Sequence, residues 1–255
     1  MSSSTAAAPS VSAEIYDTDR FGELYYGARE PDQRNLGLAA RFMISLFRRH
    51  NITFALLGGW AIFLRGGTRS TQDVDFTVAT TMDLLKEAML PEQRLCIPQI
   101  HGATSIQVFV HTGGPWDPSV RHARLYTVSV DIIIGGYLNT PPDLPTGSEQ
   151  LRPVPETTQG RQPVPVINLF YQLMTKLSAY STRRETGGQN DYVDLDFLVR
   201  AYGLQIYSMR HFFDLEQRWI FYTDFAVNND QDTTAQLYYM FGLGEDVADQ
   251  VQENG

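Results

Sequence analysis

The chain has 255 residues, 43% of them hydrophobic and 12% aromatic, which is enough for one large domain or two small ones. Its formal charge of −9 argues against long nucleic acid as a partner, because neutralising a phosphate backbone requires a basic surface. A single cysteine excludes an intramolecular disulfide, and no stretch approaches the roughly 18 consecutive apolar residues of a membrane-spanning helix. We therefore expect a soluble, cytoplasmic protein that does not bind membranes.

The front half of the chain alternates helical and strand patterns. It begins with small polar residues without periodicity, so residues 1–20 are predicted to be a disordered tail. A helix is predicted from about Pro31 to Asn51, where apolar residues recur at helical spacing. Strands are then predicted for ITFALLGG, DVDFTVA, SIQVFVH and RLYTVSVDIIIGG, and helices for WAIFLR and TMDLLKEAML. Residues 21–138 are thus predicted to form an α/β core.

The back half of the chain shows helical patterns after a proline-rich segment. Residues 139–165 contain many prolines and little apolar pattern, which predicts a long connection between two subdomains. Helices are predicted within residues 166–245 for INLFYQLMTKLSAYSTRR, DYVDLDFLVRAYG, SMRHFFDLEQRWIFYTDFAV and TTAQLYYMFG. Residues 246–255 are acidic and are predicted to be a solvated tail. We expect a helical C-terminal subdomain behind the α/β core.

Two aspartates in the predicted strand DVDFTVA are candidates for metal binding. Residues i and i+2 of a strand face the same side, so Asp73 and Asp75 present their carboxylates together, and such neighbours repel unless a cation lies between them. Oxygen ligands of this kind suit magnesium. Asp131, among apolar strand residues, is the expected third ligand, with Asp117 and Asp143 as alternatives in loop-like sequence. The five histidines lack the spacing of metal ligands.

A pair of glycines precedes these aspartates. Gly58 and Gly59 follow a predicted buried strand, and without Cβ atoms they let backbone N–H groups approach phosphate oxygens. Arg69, four positions before Asp73, is placed to reach the same phosphates. The segment is not a Walker A loop, because that motif has a lysine after its final glycine. The pattern therefore predicts a site for a metal-bound nucleoside triphosphate.

The motif GGWA, followed by G-x-x-R-x-T-x-D-V-D and by an aspartate on a later strand, resembles the nucleotidyltransferase superfamily that includes DNA polymerase beta. It is most similar to two branches, the AbiEii-type toxins of abortive-infection systems and the aminoglycoside or lincosamide nucleotidyltransferases. The resemblance implies a mixed β-sheet flanked by helices. It also implies transfer of a nucleoside monophosphate from a triphosphate, with ATP the expected donor, and two magnesium ions, with manganese as the alternative.

The resemblance also implies roles for individual residues of the α/β core. Gly58 and Gly59 match the phosphate-binding turn of the superfamily. Asp73 and Asp75 match its paired metal ligands, and Asp131 matches its third acid. These three aspartates are therefore predicted to be both the catalytic residues and the metal ligands.

Further candidates for cofactor binding lie around this core. Arg69 and Thr71 stand next to the paired aspartates in the sequence. AbiEii-like proteins carry a helical K…R…D-x-x-D pattern behind the core, which this chain matches with Lys176, with Arg183 or Arg184, and with Asp191 and Asp194. The match implies a second layer of contacts to the nucleotide or the acceptor.

The sequence thus predicts a magnesium-dependent nucleotidyltransferase that modifies an acceptor hydroxyl on a small molecule, a protein or a tRNA end. The alternative is a catalytically degenerate member of the fold that acts as a nucleotide-binding or protein-binding module. The presence of all three acids favours the enzyme, because a binding module has no need for a metal triad.

Overall fold

The computed structural model describes residues 12–120, 122–154 and 162–244. Its strands are β1 (Glu14–Tyr16), β2 (Thr53–Leu57), β3 (Asp73–Ala79), β4 (Leu95–Pro98), β5 (Ser105–Thr112), β6 (Tyr126–Ile134), β7 (Ser148–Leu151) and β8 (Val164–Ile167). Its helices are α1 (Thr18–Gly27), α2 (Gln33–Arg49), α3 (Gly58–Leu64), α4 (Met82–Met89), α5 (Leu144–Gly147), α6 (Leu169–Arg183), α7 (Gln189–Met209), α8 (Leu215–Asn228) and α9 (Gln231–Met240). Short 3₁₀ turns lie at Gly114–Trp116 and Arg210–Phe212.

The strands of the described residues form one mixed sheet in the order β1-β4-β5-β6-β3-β2-β8-β7. In its centre, β3 pairs parallel with β6 and antiparallel with β2, and β5 pairs antiparallel with β6. Nearer the edges, β1 runs parallel to β4 and β8 runs parallel to β2. This sheet and its flanking helices confirm the predicted α/β fold class with a mixed sheet.

Helix α2 covers one face of the sheet with its apolar side. Asp32 begins the helix as its N-cap, because its side chain accepts a hydrogen bond from the backbone N–H of Asn35. Phe47 is fully buried and packs against Phe54 of β2 and Phe76 of β3, with ring centroids 5.5 and 5.2 Å apart. Such aromatic contacts hold the helix on the sheet and fix which face of β3 is buried.

The burial of one face of β3 decides where its aspartates point. Val74, Phe76 and Val78 are fully buried and belong to the same core as α2. Because successive strand residues face opposite sides, Asp73 and Asp75 lie on the other face of the sheet. Because α2 packs on one face of the sheet, the two acidic positions point to the opposite face.

A second hydrophobic core lies among α6, α7, α8 and α9. Its largest fully buried side chains include Leu173, Leu198, Phe221 and Phe225. Helix α3 joins the two cores, because Trp60 belongs to the sheet core while Ile62 packs into the helical one. The glycine turn at the start of α3 is therefore held between the two halves of the protein.

The structure differs from the sequence prediction in two segments, one at the N-terminus and one that is rich in proline. Within residues 1–20, predicted to be a tail, the chain forms β1 and the start of α1. Within residues 139–165, predicted to be a connection, it forms β7 and the start of β8, which extend the sheet beyond β2. These strands were missed because they have only three or four residues and because Pro165 interrupts the strand pattern.

Other predicted segments fall outside the described residues or differ in detail. The acidic tail over residues 246–255 lies outside them, and the proposed division into domains stays a prediction. The segment predicted as one helix from Ser208 to Val227 is interrupted, because α8 begins anew after the N-cap Asp214. No helix among the described residues is long and apolar enough to cross a bilayer.

Candidate active site

Three carboxylates converge on the open face of the sheet. Strands β3 and β6 pair so that Asp75 and Asp131 are direct neighbours, and Asp73 precedes Asp75 on the same face. One carboxylate oxygen from each of the three lies within 4.8 Å of the other two. The structure therefore brings together the three aspartates that the sequence predicted to be metal ligands, although Asp131 is 56 positions from Asp75.

The glycine turn lies directly against this cluster. Gly58, the first residue of α3, has a positive φ of 65°, and a Cβ atom there would stand 1.8 Å from Oδ2 of Asp75. A Cβ atom on Gly59 would stand 2.6 Å from Oγ1 of Thr71 and 2.7 Å from Nη2 of Arg69. Both glycines are therefore required by close approach, and Gly58 is required by backbone conformation as well.

Burial and mutual repulsion perturb the electrostatics of the three aspartates. Burial raises the pKa of Asp75 well above its ordinary value, and the charges of Asp73 and Asp131 raise it further. Burial and the charge of Asp73 raise the pKa of Asp131 to about 7. Lys176 and Arg183 lower the pKa of Asp75 but do not offset these effects. Oxygen-only ligands that repel one another fit a hard divalent cation such as magnesium.

Thr71 positions one of these carboxylates. Its hydroxyl donates a hydrogen bond to Oδ1 of Asp73 at 2.9 Å, and the side chain is buried. The candidate cofactor-binding residue Thr71 therefore touches a carboxylate of the cluster, and the bond leaves Oδ2 of Asp73 for another partner.

A network of buried charges forms the opposite wall. Nζ of Lys176 lies 3.0 Å from Oδ1 of Asp191 and 2.7 Å from Oδ2 of Asp194. Arg69 donates to both carboxylate oxygens of Asp194, from Nε at 2.9 Å and from Nη2 at 2.8 Å. Arg183 adds a contact of 2.6 Å to Oδ2 of Asp191. Because Arg69 comes from the sheet half and Asp194 from α7, the network joins the two halves.

Contacts within this network reduce the number of N–H donors that its cations can offer to a ligand. Arg69 also donates from Nη1 to the carbonyl oxygen of Ser70 at 2.7 Å. Three of its five N–H donors are therefore used within the protein, and two remain. Arg184, the alternative to Arg183 in the predicted pattern, pairs with Asp224 instead.

A cleft of about 530 Å³ lies between the two walls. Both glycines of the turn line it, together with Arg69, Thr71, Asp73 and Asp75 from the sheet half and Lys176, Arg183 and Asp191 from the helical half. Its size lies within the usual range of small-molecule sites. Asp131 does not line the cleft itself and reaches it only through its two neighbours.

Some lining residues were not singled out from the sequence. On α6, Thr175, Ser178 and Thr182 face the cleft beside Lys176. Their spacing of three and four positions marks one helix face, a signal that the sequence carries. Asn139, in the left-handed conformation with φ 62°, follows β6 in a loop and offers no such pattern.

Comparisons with known proteins bear on the family and the fold of the chain. The family model described as nucleotidyl transferase AbiEii toxin, Type IV TA system, matches residues 44–235. The crystal structure of an antigenic nucleotidyltransferase-like protein from Paracoccidioides brasiliensis has a similar fold, with a TM-score of 0.50 and 19% identity over 66% of this chain and 76% of that one.

The solution structure of the antibiotic-resistance factor ANT(2'')-Ia also aligns, over 94% of this chain and 98% of that one, with 11% identity and a TM-score of 0.43. No curated protein is significantly similar in sequence. At 19% identity the first of these structures bears on the fold alone, whereas the family model covers most of the chain.

Proposed function

The chain belongs to the AbiEii family of nucleotidyltransferases, and from this membership we propose that it transfers a nucleoside monophosphate from a nucleoside triphosphate to an acceptor hydroxyl. ATP is the expected donor, magnesium the expected metal with manganese as the alternative, and pyrophosphate the second product. The observation that carries the proposal is the convergence of three carboxylates within 4.8 Å, directly against a glycine turn.

Asp73, Asp75 and Asp131 are the residues that would hold two metal ions. Bound there, the ions would lower the pKa of the acceptor hydroxyl and stabilise the negative charge of the leaving pyrophosphate. Thr71 fixes the orientation of Asp73 through its hydrogen bond. Gly58 leaves the space that Oδ2 of Asp75 occupies, so it keeps that carboxylate in place.

The triphosphate is proposed to lie in the cleft between the turn and α6. Gly58 and Gly59 both line this cleft, and neither carries a side chain that would fill it. Arg69 retains two N–H donors that phosphate oxygens can accept. Lys176, with the pair it forms with Asp191, places a cation on the facing wall. These contacts hold and orient the donor, and positioning contributes much of the rate in phosphoryl transfer.

The acceptor is proposed to carry its hydroxyl on a small molecule, a protein side chain or a tRNA end. A net charge of −9 keeps long nucleic acid disfavoured. Incubation with α-labelled ATP separates the three classes, because the label would move to a different fraction in each case. Transfer to protein, for example, would appear on a gel as a labelled band.

Calorimetric titration with each of the four nucleoside triphosphates, with and without magnesium, tests the donor site. We expect at least one triphosphate to bind only with magnesium, and no metal-dependent binding of any of them would remove the proposal. Release of pyrophosphate upon addition of an acceptor tests catalysis. Nucleotide binding without pyrophosphate release from any acceptor class would favour the degenerate binding module.

A further inference from the structure

A second group of metal-ligating side chains lies on the sheet, outside the cleft. Glu14 on β1, Cys96 on β4 and His111 on β5 each place one ligand atom within 4.8 Å of the other two. Glu14 is the register partner of Cys96, which in turn is the partner of Phe109. Because His111 follows Phe109 by two positions, all three ligands share one face of three adjacent strands.

The distances within this group match those of a metal-ligand set. Sγ of Cys96 lies 3.4 Å from Oε2 of Glu14 and 3.4 Å from Nε2 of His111. Zinc binds sulfur at about 2.3 Å and nitrogen or oxygen at about 2.0 Å, so tetrahedral ligands stand about 3.5 Å apart. The sulfur is therefore already at the spacing from each of the two polar ligands that an ion among them requires.

Neighbouring side chains orient the two polar ligands toward the sulfur. Nδ1 of His111 contacts Oγ1 of Thr127 at 3.0 Å, and Oε1 of Glu14 accepts a hydrogen bond from Nε of Arg20 at 2.7 Å. With Nδ1 as the donor, Nε2 of His111 carries its lone pair toward Cys96. Metal ligands are held in this way by outer hydrogen bonds on their second polar atom.

In the tautomer of His111 that carries its proton on Nδ1, hydrogen bonding alone accounts for the group incompletely. The thiol of Cys96 has one proton, which can serve either Oε2 of Glu14 or Nε2 of His111 but not both. A cation would satisfy all three lone pairs together. Burial lowers the pKa of His111, which favours the neutral imidazole that binds metals.

We propose that Glu14, Cys96 and His111 form a site for a zinc-class divalent ion, with the fourth coordination position left to solvent. A thiolate and an imidazole select such an ion over magnesium, so the site differs in preference from the aspartate cluster. On binding, the thiol proton of Cys96 leaves to solvent and a sulfur–metal bond forms. The side chain of Glu14 is 39% exposed, which leaves the ion a route of entry.

The ion would fasten β1 to the rest of the sheet. This edge strand has three residues and pairs only with β4 among the described strands. Ligands on β1, β4 and β5 would connect it through one ion to β4, its pairing partner, and to one further strand, β5. Because the thiol proton of Cys96 must leave when the metal binds, binding is expected to strengthen as the pH rises.

Titration of the whole protein with cobalt(II), in the presence of saturating magnesium, tests the site directly. Cys96 is the only cysteine, so a thiolate-to-cobalt charge-transfer band can arise only there. We expect one equivalent of cobalt to produce the band and zinc to displace it. Absence of the band in the wild-type protein would overturn the proposal.

Changing the buried Cys96 could unfold the protein, so the test uses variants that keep its sulfur. His111→Gln and Glu14→Gln are each expected to weaken cobalt binding at least tenfold, while His50→Gln, at an exposed histidine, leaves it unchanged. A band of equal affinity in all three would contradict the assignment. Asp75→Asn is expected to retain the full band, which separates this test from the fate of the nucleotidyltransferase site.

Discussion

Two groups of charged side chains meet at the cleft, and they differ in whether their charges balance. Asp73, Asp75 and Asp131 bring only negative charge together, and burial and repulsion raise the pKa of Asp75 and Asp131. On the helical wall, Lys176 contacts Asp194 at 2.7 Å, and each charge there has a partner. The first group carries unbalanced negative charge, whereas the charges of the second are paired within the protein.

The pKa of Lys176 illustrates the balanced group. Burial lowers it, but the charges of Asp194 and Asp191 outweigh burial and raise it above the ordinary lysine value. The ammonium therefore stays charged in a buried position. A cluster with unbalanced charge thus indicates a ligand site. A network with balanced charge instead connects two structural elements, here the two halves of the site.

Asp75→Asn gives the largest expected effect on activity. Removing a metal ligand is expected to lower the rate of nucleotidyl transfer on the order of 10³-fold, which corresponds to about 4 kcal/mol. The same change relieves repulsion, so the thermal midpoint without magnesium is expected to rise. Pyrophosphate release and thermal melting measure the two effects, with Asp83→Asn on the exposed side of α4 as the control. A lower midpoint for Asp75→Asn would contradict the unbalanced cluster.

Asp194→Asn tests the balanced group. Breaking a buried ion pair on one side leaves Lys176 and Arg69 short of a partner, and we expect the free energy of unfolding to fall by about 3 kcal/mol. Asp196→Asn removes the partner of Arg200 at the surface and is expected to cost less than about 1 kcal/mol. Urea denaturation compares the two variants. Equal losses of unfolding free energy in the two variants would show that the network does not join the two halves of the protein.

Gly58→Ala tests the contact between the turn and the cluster. The new Cβ atom would strike Oδ2 of Asp75, so we expect the affinity for magnesium and ATP to fall at least about tenfold, or about 1.4 kcal/mol. Gly66→Ala is the matched control, because Gly66 also has a positive φ of 102° but meets only ordinary contacts near 3.5 Å. Calorimetry should distinguish them. Similar losses in both would assign the effect to backbone strain alone.

The pH dependence of stability gives the smallest and most general effect. The pKa of Asp131 is raised from 3.8 to about 7, so the folded protein binds more protons than the unfolded chain between these values. The contribution of Asp131 to stability without metal is therefore expected to be greatest below about pH 4 and to be lost toward pH 7, by at most a few kcal/mol. Magnesium should reduce or reverse this slope, because it binds the ionised form. Melting curves that rise with pH in metal-free buffer would contradict the expectation.

The parts of the site that depend on local sequence periodicity could be predicted from the sequence. The positions of Asp73 and Asp75 follow from the period of a strand, and the glycine turn follows from the preceding apolar run. The pairing of Asp75 with Asp131 is a long-range register that no local pattern encodes, so Asp131 was selected from its apolar neighbours and from the resemblance to a known family. Asp194 was matched only as part of a helical pattern, and its pairing with Arg69 became visible in the fold.

Other features of the fold could not be predicted from the sequence, for different physical reasons. Strands β7 and β8 are short, and proline weakens their pattern, so their place in the sheet depends on pairing rather than propensity. Glu14, Cys96 and His111 lie far apart in the sequence and meet only because β1, β4 and β5 are neighbours. Ligand spacing along the chain cannot reveal such a group, and the prediction that residues 1–20 form a tail removed one of its members.

The most direct test of the central claim is a crystal structure with manganese and a nonhydrolysable nucleoside triphosphate, examined by anomalous scattering. The account predicts anomalous peaks bound by carboxylate oxygens of Asp73, Asp75 and Asp131, with the triphosphate beside Gly58 and Gly59. Manganese bound away from the three aspartates, or a nucleotide seated elsewhere while they remain free of metal, would contradict it.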